Sequence, residues 1–238
     1  MIGPQTLSQP LAARIANLPA PAEPADAPPV SARVVAAAEA ALEAGKTHYT
    51  DRPGILPLRE RAVAWLAEHY GLELSPDAVT ITIGSTEGRF VCVKQLVASG
   101  TGLAAVQSRP VIATAAELVG VPLVTEVTDP TAISAVFLTP DDPSDSRDAL
   151  LELAAAHDWW VIWDTSVAAP GSFHPARDPT LAPQVVTLGS LSDSLPGWRV
   201  GFMAGSKAAN KLRAYKQSMT ICSPSISQWA ALGLDGGA

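Results

Sequence analysis

The sequence predicts an α/β fold with three layers, in which helices cover both faces of a mostly parallel central sheet. The main observation is an alternation, because short apolar segments rich in β-branched residues follow helical segments along most of the chain. Strands that alternate with helices in this way usually form a parallel sheet buried on both sides. The second observation is size, since 238 residues, 47% of them hydrophobic, suffice for one substantial core.

The elements are predicted in chain order. Five prolines between residues 18 and 30 predict an extended arm over residues 1–30, because proline lacks a backbone donor and disfavours helix before it. One large domain is expected over residues 31–238. Helical periodicity predicts helices at Ser31–Ala44, Leu58–Tyr70, Glu87–Ala98, Val111–Val119, Ser146–His157 and Lys207–Met219. Strands are predicted at Thr80–Ile83, Leu103–Val106, Pro122–Glu126, Ala135–Leu138, Trp159–Trp163, Gln184–Leu188 and Arg199–Ala204.

Composition narrows the classes of function. A net charge of −7 argues against a general nucleic-acid binder, because phosphate backbones are bound through clustered lysine and arginine. No apolar run approaches the roughly 18 residues of a membrane helix, so membrane insertion is not expected. Met1–Leu18 lacks the pattern of a signal peptide, and the two isolated cysteines form neither a disulfide framework nor a metal-binding spacing. We therefore expect a cytoplasmic protein without a metal site.

Three strand ends carry the candidate binding residues, since ligands of such sheets bind beyond the carboxyl ends of the strands. Gly84-Ser85-Thr86 follows a strand and opens a helix, so it could hold a phosphate or simply cap the helix. Asp164 ends an apolar strand and needs either a ligand or a structural donor as partner. Arg199 could bind an anion or pair with a nearby carboxylate.

Taken in order, five segments resemble the class I/II aminotransferases, which are pyridoxal phosphate (PLP) enzymes of fold type I. They are PPVSARVVAAAEAALEAGKTHYTDRPGILPLRERAVAWLAEHYG, VTITIGSTEG, TPDDPSD, HDWWVIWDTSV and LGSLSDSLPGWRVGFMAG. No single segment is specific, but their order and spacing are. The resemblance implies the large domain of that fold, with the small C-terminal domain missing from this sequence.

The resemblance assigns roles to several residues. Ser85, Thr86 and Arg199 match the positions that hold the cofactor phosphate, and Asp164 matches the aspartate that pairs with the pyridine nitrogen and keeps the ring an electron sink. Three further positions match a tyrosine that reaches the phosphate across a dimer interface and two serines near the cofactor lysine, namely Tyr49, Ser190 and Ser192.

The lysine itself has no counterpart. Its position falls on Asp193, or on Leu191 if a two-residue deletion is aligned back from Leu195, and no lysine lies between Gly189 and Gly205. Lys207 and Lys211 follow on the next helix and are not expected to substitute. In the family, the lysine holds PLP as a Schiff base and then shuttles a proton.

Other departures concern the ring of the cofactor and the substrate. Asp142 stands where the family has the asparagine that bonds the phenolic oxygen, and Val167 stands where it has a tyrosine. Arg109 falls where an aromatic ring usually stacks on the cofactor, although a guanidinium can also stack. Ala22 replaces a glycine near the substrate. The small domain, which is expected to be missing from this sequence, carries in the family the arginine that binds the substrate carboxylate.

We therefore expect an aminotransferase-like pseudoenzyme, a non-catalytic binding or scaffold subunit in which no cofactor is expected, although PLP bound without a Schiff base stays open. The expected partners are a second copy in a homodimer or a larger protein complex, and a small phosphate-bearing ligand. Two alternatives remain at this point. One is an active PLP enzyme that uses another lysine or non-covalent PLP, and the other is redirected chemistry with Asp193 or Asp142 as general base.

Overall fold

The computed structural model describes residues 30–192 and 195–234. Within these ranges, seven α-helices surround one seven-stranded sheet. The helices are α1 (Ala32–Glu43), α2 (Leu56–Tyr70), α3 (Gly84–Leu96), α4 (Pro110–Val119), α5 (Ser144–His157), α6 (Ala209–Thr220) and α7 (Ser225–Ala231). The strands are β1 (Val79–Ile83), β2 (Gly102–Ala105), β3 (Leu123–Val124), β4 (Ile133–Leu138), β5 (Trp160–Asp164), β6 (Val185–Ser190) and β7 (Val200–Ala204).

The strand order is β1-β7-β6-β5-β4-β2-β3, and all neighbouring pairs are parallel except those of β7, which is antiparallel to both β1 and β6. This confirms the predicted α/β class and the mostly parallel sheet. Because β7 runs against its neighbours, its first residue lies at the same edge as the carboxyl ends of β1 and β6. The register places Val200 opposite Ile83 and Gly201 opposite Ser190.

Helices cover both faces of the sheet. On one face, Val91 and Cys92 of α3, Ile112 of α4 and Leu212 of α6 pack on buried strand residues such as Ile162. On the other face, α2 packs on β1 and β7, and α5 packs on β4 and β5. Successive strand residues point to opposite faces. Asp164 therefore faces the side of α3, whereas Trp163 faces the opposite layer.

Local signals explain most helix ends. The Ser31 side chain accepts a bond from Val34 N at the start of α1. Gly71 and Gly120 end α2 and α4 with φ of 68° and 78°, a left-handed conformation that glycine adopts without strain. These are the ends that the sequence predicted.

Three elements differ from their predictions. Helix α3 begins at Gly84 rather than Glu87, and β3 spans only two residues at the sheet edge. Helix α7 was not predicted, because its seven residues, SISQWAA, carry no clear apolar period. The predicted arm lies outside the described residues except for Val30. In the described part of the chain, no helix is long and apolar enough to span a bilayer.

Candidate functional site at the carboxyl edge of the sheet

The predicted binding residues gather along one edge of the sheet because of its register. Strands β1, β5 and β6 end there at Ile83, Asp164 and Ser190, and the antiparallel strand β7 begins there just after Arg199. Ligands of open α/β sheets bind at this kind of edge. The fold thus brings Ser85, Thr86 and Arg199 together, with Asp164 and the two serines along the same edge.

The loop after β1 passes into α3 without a side-chain cap from Ser85 or Thr86. Instead, the carboxylate of Glu87 accepts a bond from Ile83 N at 2.7 Å, in the manner of a capping side chain. The interpretation of Ser85 and Thr86 as ordinary N-caps is therefore wrong, because both lie inside the first turn. Their hydroxyl groups are not used to begin the helix.

Arg199 is held over this loop by a strained backbone. Its φ is +54°, a left-handed conformation that is uncommon for a residue with a side chain. Its Nη2 donates to Thr86 Oγ1 at 3.2 Å. Its guanidinium lies so close to Gly84 that a Cβ at that position would clash with it. The loop, Thr86 and the arginine therefore form one cradle with a local positive charge, which is suited to an anion.

Gly201 lets the backbone of β7 approach this cradle. A Cβ at Gly201 would lie 2.9 Å from both Gly84 C and Ser85 N. No side chain fits there without moving the loop, so the second glycine of the segment PGWRVG is required by packing.

Ser190 is the last residue of β6, and Ser192 lies two residues beyond it. Ser192 is buried, and its Oγ donates to Val200 O and accepts from Val200 N, both at 3.2 Å. Its own N–H donates to Ser190 Oγ at 3.3 Å. Ser192 thus has a structural role in this conformation. Asp193, the residue at the predicted lysine position, lies outside the described residues.

Asp164 has a partner that the sequence did not name. The carboxylate is fully buried, and Arg89 Nε of α3 donates to its Oδ2 at 2.6 Å. Its Oδ1 accepts from Ser166 N at 2.9 Å and from Ser166 Oγ at 2.7 Å. Of the two partners expected for Asp164, a ligand or a structural donor, the structure contains the structural donor.

A second ion pair involves two of the predicted departures from the aminotransferase pattern. Arg109 Nη2 lies 3.0 Å from Asp141 Oδ2 and 3.3 Å from Asp142 Oδ1. Asp142 Oδ2 also accepts from Thr139 N at 2.7 Å, so both oxygens of this buried carboxylate are bound. Partial burial lowers the pKa of Arg109, but its bonds to the two aspartates outweigh that effect and raise the pKa overall.

Tyr49 lies away from this edge within the same chain. It is 80% exposed and lines a cavity with Trp229 and Lys46, whose ammonium lies 5.2 Å from the Trp229 ring centroid. Val167 is half-buried in the loop after β5, and Ala22 lies outside the described residues.

The chain has five lysines, and all lie in the described ranges. Lys94 and Lys211 are exposed on α3 and α6, and Lys46 lies over Trp229. Lys207 lies 5.3 Å from the ring centroid of Trp160, the first residue of β5. Asp164 is the last residue of that strand, about 13 Å away along it.

The fifth amine, Lys216, was not among the predicted site residues. It is fully buried, its Nζ lies 3.7 Å from Glu87 Oε2, and it donates to Thr220 Oγ1 at 3.1 Å. Burial lowers the pKa of Lys216, against the opposing effect of the Glu87 charge. Glu87 and Arg89 are two residues apart, about 200° around α3. Lys216 therefore lies on the opposite side of the helix from Asp164.

Comparison with known proteins finds aminotransferases along most of the chain. A probable aspartate/prephenate aminotransferase of Thermus aquaticus is 27% identical over 226 residues, covering 81% of this chain and 58% of the relative. The arginine–pyruvate transaminase of Pseudomonas aeruginosa is 29% identical over 234 residues, covering 84% and 59%. The structure of N-succinyldiaminopimelate aminotransferase from Mycobacterium tuberculosis matches 95% of this chain and 68% of its own, with a TM-score of 0.74 and 25% identity. This chain is aminotransferase-like.

The predicted resemblance to the large domain of class I/II, fold-type I aminotransferases is thereby confirmed. No protein-family model matches the aminotransferase-like chain. The chain spans a little under three fifths of the length of the first two curated relatives, which are 58% and 59% covered.

The residues present fit the PLP of this family only at its phosphate end. The cradle of Ser85, Thr86 and Arg199 has the right chemistry for a phosphate. The ring end does not fit, because Asp164 is already paired with Arg89 in a buried position. A protonated ring nitrogen there would place a second cation beside the guanidinium, and like charges repel strongly where water is excluded.

Proposed function

We propose that this aminotransferase-like chain is a non-catalytic binding or scaffold subunit without a Schiff-base lysine. The supporting observation is that no lysine lies between Gly189 and Gly205, the segment in which the resemblance places the Schiff-base lysine. Positioned acid–base catalysis typically contributes about 10²–10⁴-fold to a rate. Transamination also needs an amine for the cofactor itself. A chain without that amine loses both contributions at once.

The ligand of the proposed subunit is a small anion held through a phosphate group. Thr86 and Arg199 are already in contact, and the N-terminus of the 13-residue helix α3 adds its backbone N–H groups and dipole. These groups recognise a phosphate whether or not a cofactor ring is attached to it. The rest of the ligand is not specified by these contacts.

The test is to add PLP to the purified chain and to follow the visible absorbance of a Schiff base. Borohydride reduction and peptide mass spectrometry then identify any lysine that carries the cofactor. We expect no specific reduced adduct and no transfer of an amino group to an added 2-oxo acid, while an active aminotransferase treated in parallel gives both. A stoichiometric adduct together with turnover would refute the proposal.

One observation favours a second candidate, a PLP enzyme that uses Lys216. A desolvated amine with a lowered pKa is the usual form of a Schiff-base lysine, and Lys216 has both properties. Its contact with Glu87, on the far side of α3 from Asp164, weakens this candidate. The adduct experiment separates the two, because this candidate requires a reduced adduct on Lys216 that the variant Lys216→Met loses.

The other alternative, redirected acid–base chemistry, has less support. Both carboxylate oxygens of Asp142 already accept hydrogen bonds within the chain, one from Thr139 N and one from Arg109 Nη2. Asp193 lies outside the described residues. Loss of any newly found turnover in Asp193→Asn, with retained folding, would support this alternative over the binding subunit.

The proposal includes a homodimer or a larger complex in the cytoplasm. The fold is that of proteins that commonly dimerise, and Tyr49 and Leu42 are large side chains exposed at 80% and 53%. Cys92 and Cys222 are free thiols, which suits a reducing compartment. Analytical ultracentrifugation tests the association. A monomer at all concentrations would argue against a homodimer and leave the hetero-complex.

A further inference from the structure

We infer that Arg89 is a resident counter-ion of Asp164 that takes the place of a protonated ring nitrogen, so that the site selects phosphate ligands without a basic ring. This inference deepens the proposed function and rests on it in placing the ligand phosphate at the cradle. It makes Arg89 a residue that determines specificity.

Both carboxylate oxygens of Asp164 accept hydrogen bonds, and the described donors are Arg89 and Ser166. Arg89 donates through Nε to one carboxylate oxygen at 2.6 Å and through Nη2 to Ser166 Oγ at 2.7 Å. Ser166 in turn donates through N and Oγ to the other oxygen. A single hydroxyl hydrogen satisfies this arrangement, since Ser166 Oγ accepts from Arg89 and donates to Asp164. The buried carboxylate is thus neutralised and bonded at both oxygens.

Arg89 is also fixed by burial, because it is only 5% exposed. A ligand with a cationic ring would have to displace the guanidinium or tolerate it as a close neighbour. Displacement leaves the guanidinium without its buried anion, and removing one member of a buried pair is strongly unfavourable. A phosphate ester whose remaining part is neutral meets no such opposition, because it can bind at Thr86 and Arg199 while the pair stays intact.

The second ion pair supports the same specificity. Arg109 holds Asp142, the residue at the position expected to contact the phenolic oxygen of the cofactor. Two of the polar contacts that the resemblance assigns to the cofactor ring, those at Asp164 and Asp142, are therefore satisfied by arginines of the chain. The pairs Arg89–Asp164 and Arg109–Asp142 use different arginines, so one chance substitution does not account for both.

The experiment compares pyridoxine 5′-phosphate, which has a basic ring but no aldehyde, with benzyl phosphate, whose ring has no nitrogen. Affinities are measured by calorimetry for the unaltered chain, Arg89→Met and the double variant Arg89→Met/Asp164→Asn. We expect the unaltered chain to show no preference for the pyridine. Arg89→Met should bind pyridoxine 5′-phosphate about tenfold more tightly than benzyl phosphate, which corresponds to about 1.4 kcal/mol, and the double variant should lose that preference.

Arg59→Met is the matched control. Arg59 is buried to a similar extent, but its acidic partner Asp77 is 86% exposed. Removing the Arg59 side chain therefore leaves no buried carboxylate without a counter-charge. This variant should keep the ligand profile of the unaltered chain. If Arg89→Met does not fold, Arg89→Lys keeps the positive charge and should still show no preference for the pyridine.

A preference of the unaltered chain for pyridoxine 5′-phosphate would overturn the inference, even without any variant. So would a folded Arg89→Met variant that gains no preference. Neither result depends on a Schiff base, because the probe has no aldehyde. Failure of the proposed function would instead be seen as a reduced lysine adduct with PLP, so the two failures are distinguishable.

Discussion

His174 offers a quantitative test of the packing on the sheet face opposite α3. Its ring is 1% exposed and lies 4.7 Å from the Tyr70 ring and 5.8 Å from the Trp163 ring, measured between centroids. Its Nδ1 accepts from Ala176 N at 3.1 Å, so its Nε2 carries the hydrogen and donates to Thr187 Oγ1 at 3.0 Å. Burial lowers the pKa of His174 from 6.5 to about 3.

The sign of the pH dependence follows from this shift. Between pH 6.5 and about 3, the unfolded chain binds a proton at His174 that the folded chain does not. The stability due to neutral His174 is therefore complete above pH 6.5 and is lost as the pH falls towards 3. The loss approaches about 1.4 kcal/mol per pH unit below pH 6.5 and amounts to about 2.7 kcal/mol between pH 7.5 and 4.5. That is a large part of the roughly 5–15 kcal/mol typical of a folded domain.

The assay is urea unfolding at several pH values between 7.5 and 4.5, about the range in which histidine titrates, for the unaltered chain and for His174→Gln. Carboxylates titrate in both proteins, so the difference between their two pH slopes isolates His174. We expect the variant to be less stable at pH 7.5 but to lose less stability on acidification. His48→Gln is the control, because it makes the same substitution at a histidine whose ring is exposed rather than buried. Equal slopes for the unaltered chain and His174→Gln would refute the reasoning.

Three further predictions concern the cradle and its surroundings. Gly201→Ala should lower the free energy of unfolding in urea by about 1–3 kcal/mol, because the added Cβ would lie 2.9 Å from Ser85 N. It should also weaken the stabilisation that inorganic phosphate gives in thermal unfolding, and unchanged phosphate binding would contradict this. Lys216→Met should cost less than about 3 kcal/mol at pH 7, since Glu87 keeps its bonds from Ile83 N and Thr220; a larger loss would show a strong pair. Burial and the neighbouring Asp164 charge raise the pKa of the Cys92 thiol. Iodoacetamide should therefore label Cys92 only after unfolding. Labelling of Cys92 in the folded chain, detected by mass spectrometry, would contradict this.

The fold was predictable because its determinants are local and repeated. Helix stops such as Gly71 and Gly120 and the β-branched strand VTITI specify their elements without tertiary information. Helix α7 was missed for the converse reason, since it is short and is held by contacts that are distant in sequence. Its Gln228 side chain accepts from Ile55 N and donates to Thr50 Oγ1, residues more than 170 positions away.

The site was predictable only in part, because sequence motifs name the ligand-facing residues and not their partners. Neither Arg89 nor Lys216 was identified as a site residue from the sequence. A signal was present in both cases. Arg89 is in line with the buried Cys92, Val93 and Leu96 of α3, and Lys216 follows the buried Leu212 by one turn. A cation within an apolar stripe indicates a buried anion, and the strand ends are the place where such an anion would lie.

The two ion pairs at the strand edge also bear on the proposal that this site binds no cofactor ring. A buried aspartate without a pyridinium partner is costly, and there are two ways to remove the cost: replace the carboxylate or supply another cation. This chain keeps Asp164 and contains Arg89. Likewise, Asp142 stands beside Arg109 rather than alone. Each carboxylate thus has a cation within bonding distance and no ligand is needed to neutralise it. The two pairs support the proposal of a pocket that is stable without the cofactor ring, while the cradle at Thr86 and Arg199 is assembled at the strained backbone of Arg199.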